Sequence, residues 1–264
     1  MDLQLKEKTA LVTGSTSGIG FAIARSLAAE GAIVIVNGRT PERVNAAVAK
    51  IKSETGNQNI YGAVANLEQP DQVNALIQQY PVVDILVNNA GIAQPKAFRD
   101  IQDQEWLDIY QVNVMSGVRL SRAYIDQMLK ANWGRIIFIS SESGVQIPAE
   151  MIQYGVSKTA QIGLSRGLAE MTVGSAVTVN TVLPGPTSTE AITNFMKATA
   201  EQQGISDAEM QDVFFSSMRG TSLLKRFIRP EEIASLVTYV ASPLSAATNG
   251  AALRADGGVI KSAF

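Results

Sequence analysis

The 264-residue chain contains no cysteine and no histidine. Without cysteine there can be no disulfide, thiol nucleophile or thiolate metal site. Without histidine, Ser-His hydrolysis and most transition-metal sites are excluded, and we predict no metal site. Acid or base catalysis near neutral pH must therefore use a tyrosine, lysine, aspartate or glutamate with a shifted pKa.

The net charge is also small, and long apolar runs are absent from the sequence. The chain has 22 basic and 24 acidic residues and a formal net charge of −2, so it offers no basic field for a nucleic-acid backbone. Residues 1–8 carry charges instead of an apolar signal-peptide region, and no apolar run reaches the length of a membrane span. We therefore expect a cytoplasmic protein with no nucleic-acid or membrane partner.

Short β-branched runs alternate with helical patterns through the first two thirds of the chain, which is typical of βαβ units around a parallel sheet. The predicted strands are 9–13, 32–37, 59–64, 83–88, 135–141 and 176–183. The predicted helices are 19–30, 41–54, 69–79, 103–132 and 152–172, and a further helix opens at Pro230. The pattern and the length predict one α/β domain over residues 1–264, a doubly wound fold that binds ligands at the carboxyl ends of its strands.

Residues 186–229 lack this alternation. The segment mixes large apolar side chains with polar ones: Phe195, Met196, Phe214, Phe215 and Met218. Two interpretations stay open, a lid that covers a site and an ordinary helical hairpin packed on the body.

A glycine-rich turn connects the first predicted strand to the first helix, with the sequence Thr13-Gly-Ser-Thr-Ser-Gly-Ile-Gly20. Backbone N–H groups at a helix N-terminus bind phosphate, and glycines allow its close approach. The strand-turn-helix context favours a dinucleotide site over a plain tight turn. Its predicted residues are Gly14, Ser17, Gly18, Ile19 and Gly20.

Arg39 follows the second predicted strand, where a carboxylate would hold the ribose hydroxyls of NAD. No acid lies there, and a guanidinium matches the geometry of a 2′-phosphate. We therefore predict NADP(H) as the preferred cofactor, with NAD(H) possible. The alternative is that Arg39 is a solvated loop charge.

Two weaker signals follow the next strands. Small residues and an amide at Asn89, Ala90 and Gly91 would let the backbone lie against adenosine. Asn66 and Leu67 are candidates to contact the adenine edge, and both are equally consistent with a plain turn.

A catalytic group is predicted around Tyr154 and Lys158, which are four residues apart on a predicted helix and so share one face. A nearby ammonium and a positive nicotinamide would lower the tyrosine pKa, so that Tyr154 can act as general acid and base. Ser141 ends the preceding strand, where its hydroxyl can polarise a substrate carbonyl. Asn113, embedded among valines, suggests a buried polar role beside Lys158. Singly, these residues are also consistent with a surface pair, a strand-end serine and a core asparagine.

With these motifs in this order, the chain resembles the short-chain dehydrogenase/reductase family along its whole length, and within it the 3-oxoacyl-[acyl-carrier-protein] reductase-like members. The resemblance implies one Rossmann-type domain with about seven parallel strands and a homotetramer. It implies a catalytic tetrad of Asn113, Ser141, Tyr154 and Lys158. It also implies cofactor contacts from Tyr154, Lys158, Pro184, Gly185 and Thr187 or Thr189.

The implied activity is an NADP(H)-dependent interconversion of a carbonyl and a secondary alcohol, the substrate being a 3-oxoacyl thioester or another small ketone. The alternatives are a catalytically silent nucleotide-sensing module and an NAD-preferring alcohol dehydrogenase. Two departures from the family stand out: Asn66 replaces a common aspartate, and Glu142, which follows Ser141, either contacts substrate or points to solvent. The expected pocket residues are Ala93, Gln94, Ser143, Gln146, Met151 and parts of 186–229.

Overall fold

A seven-stranded parallel sheet forms the centre of the computed structural model, which describes residues 2–263. The strands are β1 Thr9–Val12, β2 Ile33–Gly38, β3 Ile60–Val64, β4 Ile85–Asn88, β5 Gly134–Ile139, β6 Val177–Pro184 and β7 Ala252–Ala255. Their order in the sheet is β3-β2-β1-β4-β5-β6-β7. The order reverses between β1 and β4, and in open α/β sheets a ligand cleft forms at such a reversal.

Nine α-helices lie within the described residues. They are α1 Gly18–Ala29, α2 Pro41–Thr55, α3 Pro70–Gln79, α4 Asp103–Tyr110, α5 Ser116–Lys130, α6 Ile152–Glu170, α7 Glu190–Gln203, α8 Asp207–Val213 and α9 Pro230–Ala241. Short 3₁₀ turns occur at Phe98–Asp100, Glu142–Gly144, Ala149–Met151 and Pro243–Ser245, and π-helical turns at Gln111–Met115 and Phe214–Met218. No helix within residues 2–263 is both long and apolar enough to cross a bilayer.

The sheet is covered on both faces, which explains why its central strands are continuous apolar runs. β5 is buried at all of its positions, as expected for a parallel strand between two helical layers. One core cluster joins the sheet to α1, α2 and α9, and a second joins it to α3, α5 and α6. The predicted doubly wound α/β fold is confirmed.

Three details differ from the prediction. The predicted helix 103–132 is interrupted by the π-helical turn Gln111–Met115 between α4 and α5. The predicted strand 135–141 ends at Ile139, so Ser141 lies just beyond β5. The sequence pattern does not predict β7, because the four residues of this strand alternate between exposed and half-buried.

Residues 186–229 form a small helical unit with its own apolar cluster. α7 and α8 are joined by the chain reversal at Gly204, which has a φ of +66°. The cluster consists of Met196, Ala200, Met210, Phe214 and Phe215, with Ile192, Ile205 and Phe227 against it. Because this cluster is separate from the two main cores, the segment has a core of its own.

Candidate active site

The glycine-rich turn lies at the carboxyl end of β1. Gly14 and Gly18 have φ values of +59° and +58°, a left-handed conformation that glycine adopts without steric cost. A side chain at Gly20 would collide with the carbonyl of Gly14 and the amide of Asn89. Ser17 begins α1 without a side-chain capping bond, so its hydroxyl does not occupy the first N–H groups of the helix. A phosphate fits this cradle of backbone donors.

Two asparagines hold the turn in place. Asn89 Nδ2 donates to the carbonyl oxygens of Thr13 and Gly14 at 2.9 and 3.0 Å. Asn37, at the end of β2, accepts from the N–H of Gly14 at 3.2 Å. The Asn89 amide therefore supports the turn, while the backbone of Ala90 is anchored by the Thr13 hydroxyl at 2.9 Å. Asn37 was not predicted, although a polar residue in an apolar strand is a signal of such a role.

Two guanidinium groups are placed around the turn. Arg39 is exposed and makes no hydrogen bond or ion pair with any residue from 2 to 263. Arg43, in the first turn of α2, donates to the Ser17 hydroxyl at 3.4 Å. Sequence reasoning missed Arg43, although it follows Arg39 by four residues. Together they can hold a phosphate beside the ribose position.

The two residues after β3 differ in what they offer. Leu67 is buried in the second core cluster, so only its backbone is available to a nucleotide. The side-chain oxygen of Asn66 accepts from the N–H of Glu68 at 3.2 Å. The NH₂ group of Asn66 takes no part in that bond.

The segment after β6 meets the same cleft. Pro184 ends β6, and Gly185 packs so closely on Asp256 that a side chain there would collide with its backbone. Thr187 Oγ1 donates to the carbonyl of Gly185 at 2.9 Å. The Thr189 methyl group is 3.2 Å from the position that a Cβ on Gly18 would take. The structure thus brings Thr189 of this predicted group beside the glycine-rich turn.

Ser141, Tyr154 and Lys158 converge at the carboxyl end of β5. Ser141 is buried and accepts from the N–H of Ser143 at 3.1 Å. Tyr154 and Lys158 lie on α6, and the ammonium is 5.5 Å from the centroid of the tyrosine ring. Gly91 joins this group to the nucleotide end, because a Cβ there would be 3.5 Å from Lys158 Nζ.

The protein's own groups raise the pKa of Tyr154 to about 12. Burial is the largest cause, a hydrogen bond with Ser141 lowers the pKa, the charge of Glu142 raises it and that of Arg219 lowers it. Lys158 is not among these causes, in contrast to the expected lowering. Its ammonium donates to the carbonyl of Ile139 at 2.8 Å and to Gln161 Oε1 at 3.1 Å, and burial lowers the pKa of Lys158 to about 7.

Asn113 contacts Lys158 only indirectly. Its side chain exchanges hydrogen bonds with the backbone of Ile92 at 2.8 and 3.0 Å and donates to Ser157 at 2.9 Å. The main-chain carbonyl of Asn113 accepts from Gln161 Nε2, whose Oε1 accepts from Lys158. Gln161 was not predicted; its signal is the spacing of three residues from Lys158 on one helix.

Glu142 is buried, so the solvent-facing alternative for this residue is excluded. It accepts from Arg219 Nε at 2.9 Å and from the hydroxyl of Ser143. Arg219 follows the π-helical turn of the 186–229 segment and also pairs with Glu150 at 3.2 Å.

The expected pocket residues differ in their exposure. Ser143 is buried at this ion pair and Met151 is half-buried, while three are exposed: Ala93, Gln94 and Gln146.

A cavity of about 560 Å³ opens beside this ion pair. It is lined by Lys96, Ala97, Phe98, Arg99, Ala149 and Glu150. Glu150 belongs both to the cavity and to the Arg219 pair, which places the cavity next to the catalytic group.

A doubly wound sheet with a phosphate cradle and a Ser-Tyr-Lys group defines a dinucleotide-binding oxidoreductase. The family model described as short chain dehydrogenase matches residues 8–200. The chain therefore belongs to the short-chain dehydrogenase family, and it is an oxidoreductase of that family. The resemblance drawn from its motifs is confirmed.

Similar proteins cover the whole chain. It is 49% identical over 264 residues to the protein named uncharacterized oxidoreductase YvaG of Bacillus subtilis (strain 168), with 100% of both chains covered. It is 32% identical to a 3-oxoacyl-[acyl-carrier-protein] reductase of Aquifex aeolicus, covering 98% of this chain and 100% of the relative. The L-sorbose reductase of Gluconobacter frateurii, solved with NADPH and L-sorbose, has a TM-score of 0.92 at 29% identity and covers 99% of this chain and 100% of that one.

Proposed function

We propose that the protein is an NADP(H)-dependent oxidoreductase that interconverts a ketone and a secondary alcohol, with Tyr154 as general acid and base. The observation that carries the proposal is the convergence of Ser141, Tyr154 and Lys158 at the strand ends, in one cleft with the glycine-rich turn. The chemistry needs a proton donor next to a carbonyl-binding hydroxyl, and these residues supply both.

Each residue has a definite task. Ser141 orients the carbonyl oxygen through its hydroxyl, and Tyr154, neutral at pH 7 because its pKa is raised, donates the proton to that oxygen. Lys158 holds the ribose hydroxyls and, when protonated there, lowers the tyrosine pKa for the reverse reaction. Asn113 and Gln161 fix the position of Lys158. NADPH, when bound, supplies the hydride.

NADP(H) is the cofactor that fits the residues present. The phosphate cradle of the glycine-rich turn, the unpaired Arg39 and the neighbouring Arg43 provide donors for a 2′-phosphate. The NADPH in the Gluconobacter frateurii reductase structure supports the same choice. An NAD-preferring dehydrogenase is the second candidate, and the cofactor comparison in the Discussion separates the two.

The substrate is a ketone of moderate size. The name of the Aquifex aeolicus relative supports a 3-oxoacyl thioester, and the L-sorbose in the Gluconobacter frateurii structure supports a keto sugar. A cofactor-consumption screen against 3-oxoacyl thioesters, keto sugars, ketosteroids and small diketones tests both.

Replacement of Tyr154 by Phe tests the mechanism. We expect turnover to be lost while NADPH binding stays near normal, because only the transferable proton is removed. Retention of a tenth of the wild-type kcat, a barrier change of about 1.4 kcal/mol, would contradict the role of Tyr154. NADPH binding without consumption of any carbonyl by the wild type would instead favour the nucleotide-sensing module.

We also propose a homotetramer, with the helices of Asn113 and Tyr154 in its larger interface. Large apolar side chains on or next to these helices are exposed: Leu107, Tyr110, Val156, Met171 and Val173. Contiguous exposed apolar patches mark association surfaces, and we propose that these side chains form such a patch. Sedimentation equilibrium measures the mass directly, and a monomer at micromolar concentration would refute the proposal.

A further inference from the structure

A buried carboxylate lies directly against the serine of the candidate active site. Glu142 Oε2 is 3.5 Å from Ser141 Oγ, and only 5% of the Glu142 side chain is exposed. Ionised carboxylates are expensive to bury unless they are paired. Arg219, itself 11% exposed, supplies the partner from the 186–229 segment.

We propose that Glu142, held by Arg219, recognises a hydroxyl group on the substrate carbon next to the carbonyl, so that the enzyme selects uncharged α-hydroxy ketones. The proposal rests on the proposed function, which places the carbonyl oxygen at Ser141 and Tyr154. A substituent one carbon away from that carbonyl then lies beside Glu142. An ionised carboxylate only accepts hydrogen bonds, so the matching substituent is a donor such as a hydroxyl.

The local charge argues against an anionic substituent at this position. Two carboxylates, Glu142 and Glu150, share the single guanidinium of Arg219 at 2.9 and 3.2 Å. A substrate carboxylate beside Glu142 would meet a like charge with little water to screen it. An unsubstituted methyl group would give this carboxylate no further hydrogen bond, and sites built to bond a substrate hydroxyl reject analogues that lack it.

The proposed recognition role also explains the position of the Glu142 side chain. Arg219 needs no buried partner to fasten its segment, since Glu150 has a side chain that is 40% exposed and already pairs with it. Glu142 instead sits between Arg219 and the hydroxyls of Ser141 and Ser143. Its position suits recognition at the reacting carbon.

Three methyl ketones that differ at one group provide the test. Hydroxyacetone carries CH₂OH, acetone carries CH₃ and pyruvate carries COO⁻ at the same position. With NADPH and the intact protein, we expect kcat/KM for hydroxyacetone to exceed that for each of the other two at least about tenfold. In Glu142→Gln the preference over acetone should fall about tenfold and the relative rate with pyruvate should rise. Glu150→Gln is the matched control, because it removes the other partner of Arg219 but not the carboxylate beside Ser141.

The outcomes separate the two proposals. Equal kcat/KM values for hydroxyacetone and acetone, or an unchanged ratio in Glu142→Gln, would overturn the recognition role while leaving the reductase activity in place. If the protein oxidises NADPH with none of the three ketones and with no compound of the substrate screen, the proposed function fails. This inference then fails as well. Thermal unfolding reports whether Glu142→Gln folds. If it does not, the double variant Glu142→Gln/Arg219→Met, which leaves no unpaired buried guanidinium, is measured with the same three ketones and the same expected loss of preference.

Discussion

The side-chain amide of Gln161 donates a hydrogen bond of 2.5 Å to the main-chain carbonyl oxygen of Asn113. Through its oxygen the same amide accepts from the ammonium of Lys158 at 3.1 Å. Gln161 is almost fully buried. One side chain therefore ties the π-helical turn of Asn113 to the lysine on α6, and the turn's widened backbone supplies the acceptor.

Loss of this link should change the pKa of Lys158 as well as kcat. We expect Gln161→Leu to lower kcat about tenfold or more, since a hydrogen bond to a charged group contributes about 1.5–3 kcal/mol. It should also lower the pKa of Lys158 and move the alkaline limb of the pH–kcat profile to lower pH. Gln161→Glu keeps the acceptor and adds a negative charge, so it should move that limb to higher pH. Shifts in the same direction in both variants would reduce Gln161 to a packing role.

Local motifs made most of this site predictable. The glycine-rich turn and the Tyr154–Lys158 pair depend on backbone conformation and on helical spacing, which a sequence displays directly. The Glu142–Arg219 pair was not predictable, because its partners are separated by 77 residues and meet only when the 186–229 segment packs. The same reason hides Asn37, whose partner Gly14 is 23 residues away.

The seventh strand shows a different limit. β7 has four residues whose burial alternates between exposed and half-buried, so it lacks the apolar run that revealed the six other strands. It forms because its backbone pairs with β6 from Ala252 to Ala255. An edge strand of this length is determined by its neighbour more than by its own composition.

Cofactor preference should depend on Arg39. The wild type is expected to use NADPH better than NADH by kcat/KM, and Arg39→Ala should lose most of that preference by weakening NADPH alone. Arg43→Ala should produce a smaller loss, because Arg43 also bonds to Ser17. Equal kcat/KM values for both cofactors in the wild type, or a preference that survives in Arg39→Ala, would refute the 2′-phosphate role.

Stability should rise with pH because of Lys158. Its pKa is about 7 in the folded protein against 10.5 as the ordinary value, so above pH 7 the unfolded chain holds a proton that the folded one has released. The free energy of unfolding then increases from pH 7 toward 10.5, by about 2 kcal/mol between pH 7 and 9. Tyr154, with a raised pKa, acts in the opposite direction only above pH 10.

Urea unfolding at a series of pH values measures this effect. Lys158→Met retains the length of the side chain and cannot be protonated, so the difference between the two proteins isolates the lysine. We expect the variant to be more stable than the wild type at pH 7 and the gap to narrow by pH 9. A gap that stays constant over this range would show that Lys158 has an ordinary pKa.

The 186–229 segment should open more readily than the sheet. Its apolar cluster is small and separate from the two main cores, and elements with few shared buried contacts open at low free-energy cost. It is tied to the body by backbone hydrogen bonds from Leu223 and Leu224 to Gly257 and by the ion pairs of Arg219. We therefore expect the segment to act as a lid that admits substrate and then excludes water.

Hydrogen exchange distinguishes a lid from fixed scaffold. Amides of α7 and α8 should exchange faster than those of β5 in the protein alone, and saturating NADPH should slow them because Thr189, which precedes α7, lies beside the glycine-rich turn. α9 is the internal control, since it packs on the main core and should keep its protection with or without NADPH. If α7 and α8 exchange as slowly as β5 and NADPH adds no protection, the segment is a permanent wall of the site. Substrate access would then be through the cavity between Lys96 and Glu150.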